Sequence, residues 1–299
     1  MKSELAIFVA VVEKAHFSEA AKLLHLTQPA VSRSIKQLEQ KMNAKLLYRT
    51  TKEVALTKAG KIVYDHAKEI LGLYERMEVR VNDTMNQPAG PLKIAASYTF
   101  GEYVLPHIVA RVRSRYEDIV PSITIGNTRE VVTLVAEQRM DLGIIEGNVA
   151  DDTVVKETFA SDSLVVVASR QHPLVRKDGI TMSDLVQETW IVREEGSGTR
   201  EATEHMFEEH AFSPASSMEF GSTQSIKEAV EAGLGIAFLS SWAIRKELSL
   251  GTLAVLPLDS FPIERYFTLV TRATDDWTKA MQVFIECLLA HPFCNRSKD

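Results

Sequence analysis

The run FSEAAKLLHLTQPAVSRSIKQLE, residues 17–39, carries two short helical patterns separated by a tight turn. Ser18 is placed to cap the first, over residues 19–24, where the small pair Ala20-Ala21 lets another helix approach closely. After His25-Leu26, Thr27 stands as an N-cap, and Pro29 falls inside the first turn of the next helix, where a missing N–H costs nothing. At about 100° per residue, Val31, Ile35 and Leu38 point one way while Pro29, Ser32, Arg33 and Lys36 point nearly opposite. The first set is a core stripe. The second is a small, polar, basic face that fits a DNA major groove, where Arg and Lys reach phosphates or guanine edges and Ser bonds either. Thr27 and Gln28 lead the helix, where backbone N–H groups meet phosphate or base edges. For this stretch alone, the competing reading is a solvated helix face.

The flanking sequence builds on this pair. Leu5, Phe8, Val9 and Val12 recur at helical spacing, so an amphipathic helix precedes it and ends before His16-Phe17. Behind it, residues 46–50 and 53–57 read as two short extended runs joined by Thr51-Lys52, a small hairpin with a basic tip that can track the adjacent DNA backbone or minor groove. Thr57 then precedes a long helix with Ala59-Gly60 in its first turn.

Charge separates this head from the rest. The 299 residues hold 34 basic and 40 acidic side chains, a formal net charge of −6, which taken whole argues against nucleic-acid binding. Residues 1–60 contain ten Lys or Arg and five acids, a net of +5, so the remaining 239 carry −11. A short basic end on a large acidic body points to a nucleic-acid module joined to a domain with another task. With 45% hydrophobic and 25% charged residues, the composition excludes disorder, collagen and a coiled-coil rod and suits two or three globular domains. The apolar run at residues 5–12 stops at Glu13, too short to span a membrane and without a cleavage site behind it, which predicts a cytoplasmic protein. Cys287 and Cys294 have no ligand spacing around them and read as reduced structural thiols.

From Val63, the positions Ala67, Ile70, Tyr74, Met77 and Val81 follow at spacings of 4, 3, 4, 3 and 4, a heptad seam. It suits pairing of two helices, since two reading helices need a fixed separation to match DNA half-sites, although a single amphipathic helix lying on its own domain has the same pattern. The stretch NQPAGP, residues 86–91, breaks the helix and supplies a hinge.

The acidic body alternates strand-like and helical runs: strands at 92–96, 122–126 and 142–146 with helices at 103–115 and 129–139, then strands at 164–168, 190–193, 218–221 and 234–239 with helices from 198 and at 225–231. A strand at 266–270 and a helix at 277–289 close the chain. Two similar α/β halves are implied. Ligand sites in such folds form at the carboxyl ends of strands beside helix N-termini, and hydroxyls stand at several: Ser97 and Thr99, Thr128, Ser197 and Thr199 with Arg200, and Thr223 with Gln224. Each offers backbone N–H groups and a hydroxyl or amide, which suits a small anion, although any one of them alone is equally a helix cap. Arg200 either neutralises an anion or pairs with Glu201 or Glu204 on its own helix. No phosphate loop, HExxH pair or Gly-x-Ser-x-Gly elbow occurs, and the Gly196-Ser197-Gly198 run lacks the third glycine of a dinucleotide fingerprint, so nothing in the sequence favours an enzyme, a nucleotide cofactor or a metal.

Residues 17–39, followed by Leu46-Leu47-Tyr48-Arg49 and Leu56-Thr57-Lys58-Ala59-Gly60, resemble the winged helix-turn-helix of LysR-type transcriptional regulators. The body resembles the regulators of sulfur assimilation and carbon fixation within that family, through SYTFGEYVLP at 97–106 and EGSGTR at 195–200. The resemblance implies a multidomain α+β chain. Its parts would be a winged helix-turn-helix at 1–58, a linker or dimerisation helix at 59–87, and a two-lobed α/β effector domain like a periplasmic binding protein, one lobe at 91–161 with 268–294 and the other at 162–267. It further implies DNA contacts by Thr27, Gln28, Pro29, Ser32, Arg33, Lys36, Arg49 and Lys52. A small oxyanion or carboxylate co-inducer would sit among Ser97, Thr99, Thr128, Ser197, Thr199, Arg200, Thr223 and Gln224, with Ser97, Thr99 and Thr199 foremost. The implied partners are promoter DNA, that co-inducer, a second copy or a dimer of dimers, and RNA polymerase, with no membrane. The rivals are a two-lobed solute-binding protein without DNA affinity, and an enzyme.

Overall fold

The structure is a computed structural model that describes residues 1–49, 54–83, 87–147, 149–259, 261–273 and 277–291. It divides into two compact units, Met1–Met85 and Asn86–Asp299.

The first unit opens with α1 (Lys2–Lys14), α2 (Phe17–Leu23) and α3 (Gln28–Lys41). Leu5, Phe8 and Val9 of α1, Ala20 and Ala21 of α2, and Val31, Ile35 and Leu38 of α3 meet in one core, so the small pair on α2 is where the helices close up. The cap of α2 is His16, not Ser18. His16 has the extended backbone that a cap requires, and its Nδ1 accepts the Ser18 N–H at 3.2 Å. Thr27 caps α3 as expected, its Oγ1 accepting from the Ala30 N–H at 3.4 Å. The strands β1 (Leu47–Arg49) and β2 (Val54–Leu56) pair antiparallel, Leu47 opposite Leu56, and form the hairpin read from the sequence.

Next comes α4 (Lys58–Asp83), of 26 residues. Its first turn presses on the segment leading into β1: a Cβ on Gly60 would stand 1.9 Å from the Leu46 carbonyl oxygen, so only glycine fits there. The heptad seam is buried only in part. Ala67 is buried in the head core with Val63, Tyr64 and Leu71 packed against it, whereas Ile70, Tyr74, Met77 and Val81 are exposed, together with Ile62 and Leu73. From Val63 to Val81 a helix makes about five full turns, so the seam keeps to one side of α4. The head core takes its early positions and leaves the later ones outward.

The second unit begins with β3 (Gly90–Ser97), α5 (Tyr98–Tyr103), α6 (Leu105–Arg113), β4 (Ile119–Gly126), α7 (Thr128–Ala136) and β5 (Leu142–Glu146). β3 lies parallel between β4 and β5. The single helix expected at 103–115 is two helices that start earlier and break at Val104; Pro106, without an N–H and with its ring against the carbonyl of Glu102, cannot sit inside a continuous helix. β6 (Val154–Ser169) is sixteen residues long, far more than the five read from sequence. Its first part pairs with β11 (Ile263–Arg272), which also pairs with β5, and its last part pairs with β9 (Ala237–Ser240) and β10 (Leu253–Val255). These two antiparallel strands run through both lobes. Between them come α8 (Met182–Val186), β7 (Thr189–Arg193), α9 (Gly198–Glu209), β8 (Ser216–Phe220), α10 (Thr223–Glu231) and α11 (Arg245–Leu250), and α12 (Lys279–Leu289) closes the fold.

Each lobe has apolar residues on both faces of its sheet, as buried parallel strands require. In the first, Ile94, Phe100, Ile108, Ile144 and Phe284 form one layer and Ala95, Val131, Val135 and Ile145 the other. In the second, Val166, Trp190, Met206 and Ile236 face one way and Val167, Ile191, Val230 and Leu239 the other. Cys287 is a buried free thiol in the first layer, and Cys294 lies outside the described residues. No helix among the described residues is long and apolar enough to cross a membrane.

Candidate functional site

On the head, the buried and exposed sides of α3 divide as their spacing requires. Val31, Ile35 and Leu38 are fully buried, while Gln28, Pro29, Arg33 and Lys36 are exposed, as is Thr27 at the cap, and Ser32 is half-buried. Lys41 and Lys2 are held by Glu4 and Glu78, whereas Arg33 and Lys36 have no ion-pair partner among the described residues. Their charges are thus available to a phosphate or a base edge. Arg49 ends β1, opposite Val54, and its side chain lies outside the described residues, as does Lys52.

In the second unit, three predicted hydroxyl residues converge on a side chain that sequence reasoning missed, Glu146 at the carboxyl end of β5. Glu146 is 2% exposed. Its Oε1 accepts from Ser97 Oγ at 3.0 Å and from the Thr99 N–H at 2.8 Å. Its Oε2 accepts from Thr199 Oγ1 at 3.2 Å and pairs with Arg265 Nη1 at 2.9 Å. Arg265 is itself buried and donates to Asp162 through Nε at 2.9 Å, to Thr199 Oγ1 through Nη1 at 2.9 Å and to Thr99 Oγ1 through Nη2 at 3.1 Å. Ser240 completes the array by donating to the other Asp162 oxygen at 2.8 Å. Two buried carboxylates therefore share one guanidinium.

Their titration follows from that sharing. Burial pushes the Glu146 carboxyl up, but Arg265 and the hydrogen bonds from Thr99 and Ser97 outweigh it and hold Glu146 below the ordinary glutamate range. Asp162 is pushed above its ordinary range by burial, which Arg265 and Ser240 offset only in part.

The other predicted residues stand around this centre in different ways. Thr128 donates to the Glu146 backbone carbonyl at 3.1 Å, and Ser197 caps α9 by accepting from the Thr199 N–H at 3.2 Å. Thr223 accepts from Arg193 Nη1 at 3.4 Å; Arg193, 1% exposed, also pairs with Glu194 and lies 4.3 Å from the Tyr98 ring centroid. Arg200 and Gln224 are not brought into the cluster. The Arg200 guanidinium turns to Glu204 at 2.6 Å and to Glu219 at 3.2 Å, the helix-pairing alternative of the sequence reading, and exposed Gln224 bonds Glu228. Glu146, Asp162, Arg193 and Arg265 carried one readable signal, a charged residue inside or closing an apolar strand.

The lobes meet through backbone as well. The Arg129 N–H donates to the Gly196 carbonyl at 3.1 Å, and Asn127 Nδ2 reaches Glu194 at 3.3 Å. Gly198 lies so near β5 that a Cβ there would stand 2.2 Å from the Glu146 carbonyl oxygen.

These features have close counterparts in known proteins. Residues 3–61 match the model of the bacterial regulatory helix-turn-helix protein, lysR family, and residues 85–292 match that of the LysR substrate binding domain. The HTH-type transcriptional regulator CysL of Bacillus subtilis is 37% identical over 284 residues, 95% of each chain. A RuBisCO operon transcriptional regulator of Acidithiobacillus ferrooxidans is 35% identical over 287 residues, 96% of this chain and 93% of its own. The regulatory domain of Synechocystis CcmR, solved in complex with 2-PG, superposes with a TM-score of 0.63 at 30% identity, covering 67% of this chain and 96% of that one. With its basic helix-turn-helix head and its two-lobed α/β body both matched, the chain belongs to the LysR family of transcriptional regulators, alongside CysL and the RuBisCO operon regulators.

Proposed function

We propose that the chain reads promoter DNA with Thr27, Gln28, Pro29, Ser32, Arg33 and Lys36 of α3 and with Arg49 and Lys52 of the hairpin. It responds to a small oxyanion or carboxylate bound among Ser97, Thr99 and Thr199, and it acts on transcription together with RNA polymerase. The observation that carries the anion class is the convergence of Ser97 Oγ, the Thr99 N–H, Thr199 Oγ1 and Arg265 Nη1 on one carboxylate within 2.8–3.2 Å. Such a cradle matches the acceptor pattern of a small anion. The CcmR regulatory domain, similar in fold and sequence, was solved with 2-PG, which supports a small metabolite in this cleft. Exposed Ile70, Leu73, Tyr74, Met77 and Val81 on α4 support pairing with a second copy. Residues 1–58 then serve as head, 59–87 as linker, and 91–161 with 268–294 and 162–267 as the two effector lobes.

The direct test titrates duplex DNA from upstream of the chain's own gene at several salt concentrations. Sequence-specific binding that weakens steeply with salt is expected; equal affinity for every sequence, or none, refutes the reading. For the effector, a thermal-shift panel of sulfate, sulfite, phosphate, small carboxylates and 2-PG should contain an anion that stabilises the wild type but not Thr199→Val.

A further inference from the structure

We propose that Glu146 is a resident anion: its carboxylate holds the donors that an effector anion would use, and an effector binds by displacing it. This rests on the reading of the cleft as an anion site and specifies how that site is regulated.

The two carboxylate oxygens of Glu146 take two donors each, Ser97 Oγ and the Thr99 N–H on one, Thr199 Oγ1 and Arg265 Nη1 on the other. This is the pattern a free carboxylate or one edge of an oxyanion would make. Glu146 thereby occupies the donors that a bound anion would meet first. Arg265 is fully engaged with Asp162, Glu146, Thr99 and Thr199, and Thr199 Oγ1, having given its proton to Glu146, accepts from Arg265.

Charge gives the same answer. Glu146 and Asp162 share Arg265 in a region where all three are at most 6% exposed, so with both carboxyls ionised the trio has one net negative charge. Bringing in another anion beside them adds a second uncompensated buried charge, which is strongly unfavourable. If a monocarboxylate replaces the Glu146 carboxylate on its donors, the charge at the cradle is unchanged, and a sulfate or phosphate adds less charge there than it would beside a resident Glu146; the displaced group leaves for a more solvated position. The cradle bridges the lobes, with Ser97, Thr99 and Glu146 on the first and Thr199 on α9 of the second, so exchange of one anion for another alters what holds the lobes together. Glu146 thereby sets a threshold, because an effector must outcompete a tethered carboxylate that is always at hand.

The test is isothermal titration of the full chain with sulfate, phosphate and 2-PG, comparing wild type, Glu146→Gln and Glu146→Asp. Glu146→Gln keeps the length, loses the charge and presents an amide N–H to groups that are themselves donors, so it competes poorly. It should bind at least one of the three anions about ten- to a hundredfold more tightly than wild type, the factor by which a closed site lowers apparent affinity. Adding Thr199→Val to Glu146→Gln should remove most of that gain. Equal or weaker binding by a folded Glu146→Gln protein overturns the proposal, as does a gain that survives Thr199→Val. Should Glu146→Gln fail to fold, Glu146→Asp decides: one methylene shorter, it cannot reach all four donors, and tighter binding supports displacement while unchanged or weaker binding refutes it. If none of the anions binds wild type or any variant, the anion reading of the cleft fails and takes the proposal with it. That result differs from equal binding by all, which defeats displacement alone.

Discussion

Arg265 is the residue whose removal the fold should feel most. It is 6% exposed and neutralises two carboxylates that would otherwise be buried with no cation in contact. Arg265→Met should lower the stability of the full chain by about 3–5 kcal/mol, the usual cost of breaking a buried charge pair by removing one partner, as read by chemical denaturation. A loss under about 1 kcal/mol would place these charges in water, where ion pairs matter little. At the other end of the chain, Arg33 stands on the exposed face of α3, and Lys52 falls in the sequence between the two strands of the hairpin, outside the described residues. Arg33→Ala should relax base choice at one position by about 1–3 kcal/mol, while Lys52→Ala should weaken all sequences alike; a competition panel of operator variants giving the same profile for both would remove this division of labour. At this scale the sequence exposed hydroxyls more readily than charges. Ser97, Thr99 and Thr199 stand out because strand ends and helix starts locate them. Glu146, Asp162 and Arg265 do not, because a charged residue in or after an apolar strand looks like an ordinary surface position. The partners that bury Arg265 lie as far as 103 and 166 residues away in the chain.

Between elements, two contacts set how α9 and α10 meet their neighbours. Gly198 opens α9 where a Cβ would stand 2.2 Å from the Glu146 carbonyl oxygen, and backbone on both sides leaves no flexible group to yield. Gly198→Ala must push α9 away from β5 and stretch the Thr199–Glu146 bond. It should cost about 1–3 kcal/mol of stability, as overpacking does, and weaken anion binding together with it; a variant with wild-type melting and wild-type anion affinity would show that the approach is not required. On α10, Lys227 is 3% exposed and donates to the Ala243 carbonyl at 3.0 Å and to Glu247 at 2.6 Å, with its Nζ 4.9 Å from the Tyr103 ring centroid. Burial pulls its ammonium down, and the hydrogen bonds to Glu247 and Tyr103 outweigh it, so Lys227 titrates above its ordinary 10.5. A raised amine contributes its full stability below pH 10.5 and loses it as pH rises through the shifted value. Lys227→Met should therefore cost about 1–3 kcal/mol at neutral pH, with the gap to wild type closing at strongly alkaline pH. A gap that widens there instead would reverse the sign of the shift. The helices of the head were legible because each has a periodic apolar stripe and a cap. The long β6 was not, since its first nine residues interrupt Val154, Val155, Phe159 and Ala160 with Lys156, Glu157 and Asp162 and lack the continuous apolar run of a buried strand. The α4 seam was only half legible, because heptad spacing does not reveal which neighbour a helix face meets.

For the molecule as a whole, the net charge of −6 averages a basic head and an acidic body with opposite attitudes to phosphate. A body carrying an excess of acids is repelled by DNA, which favours docking through the head alone. The α/β alternation and the basic helix pair were legible in the sequence because both rest on local periodicity, whereas the way two lobes share crossing strands was implied only by the family resemblance. How the effector and DNA sites communicate is a property of the whole chain and can be tested without assuming any particular motion. If an anion changes promoter affinity by some factor, thermodynamic linkage requires promoter DNA to change anion affinity by the same factor. A coupling of about 1–3 kcal/mol, five- to a hundred-and-fifty-fold, is the usual range. The full chain should therefore give matching ratios when anion affinity is measured with and without saturating operator duplex, and DNA affinity with and without saturating anion. Glu146→Gln, by binding the anion more readily, should shift the anion concentration at half-maximal response downward. Ratios that match at unity would mean that the anion is bound but not sensed, and the cleft would then be a structural ion site on a regulator controlled elsewhere.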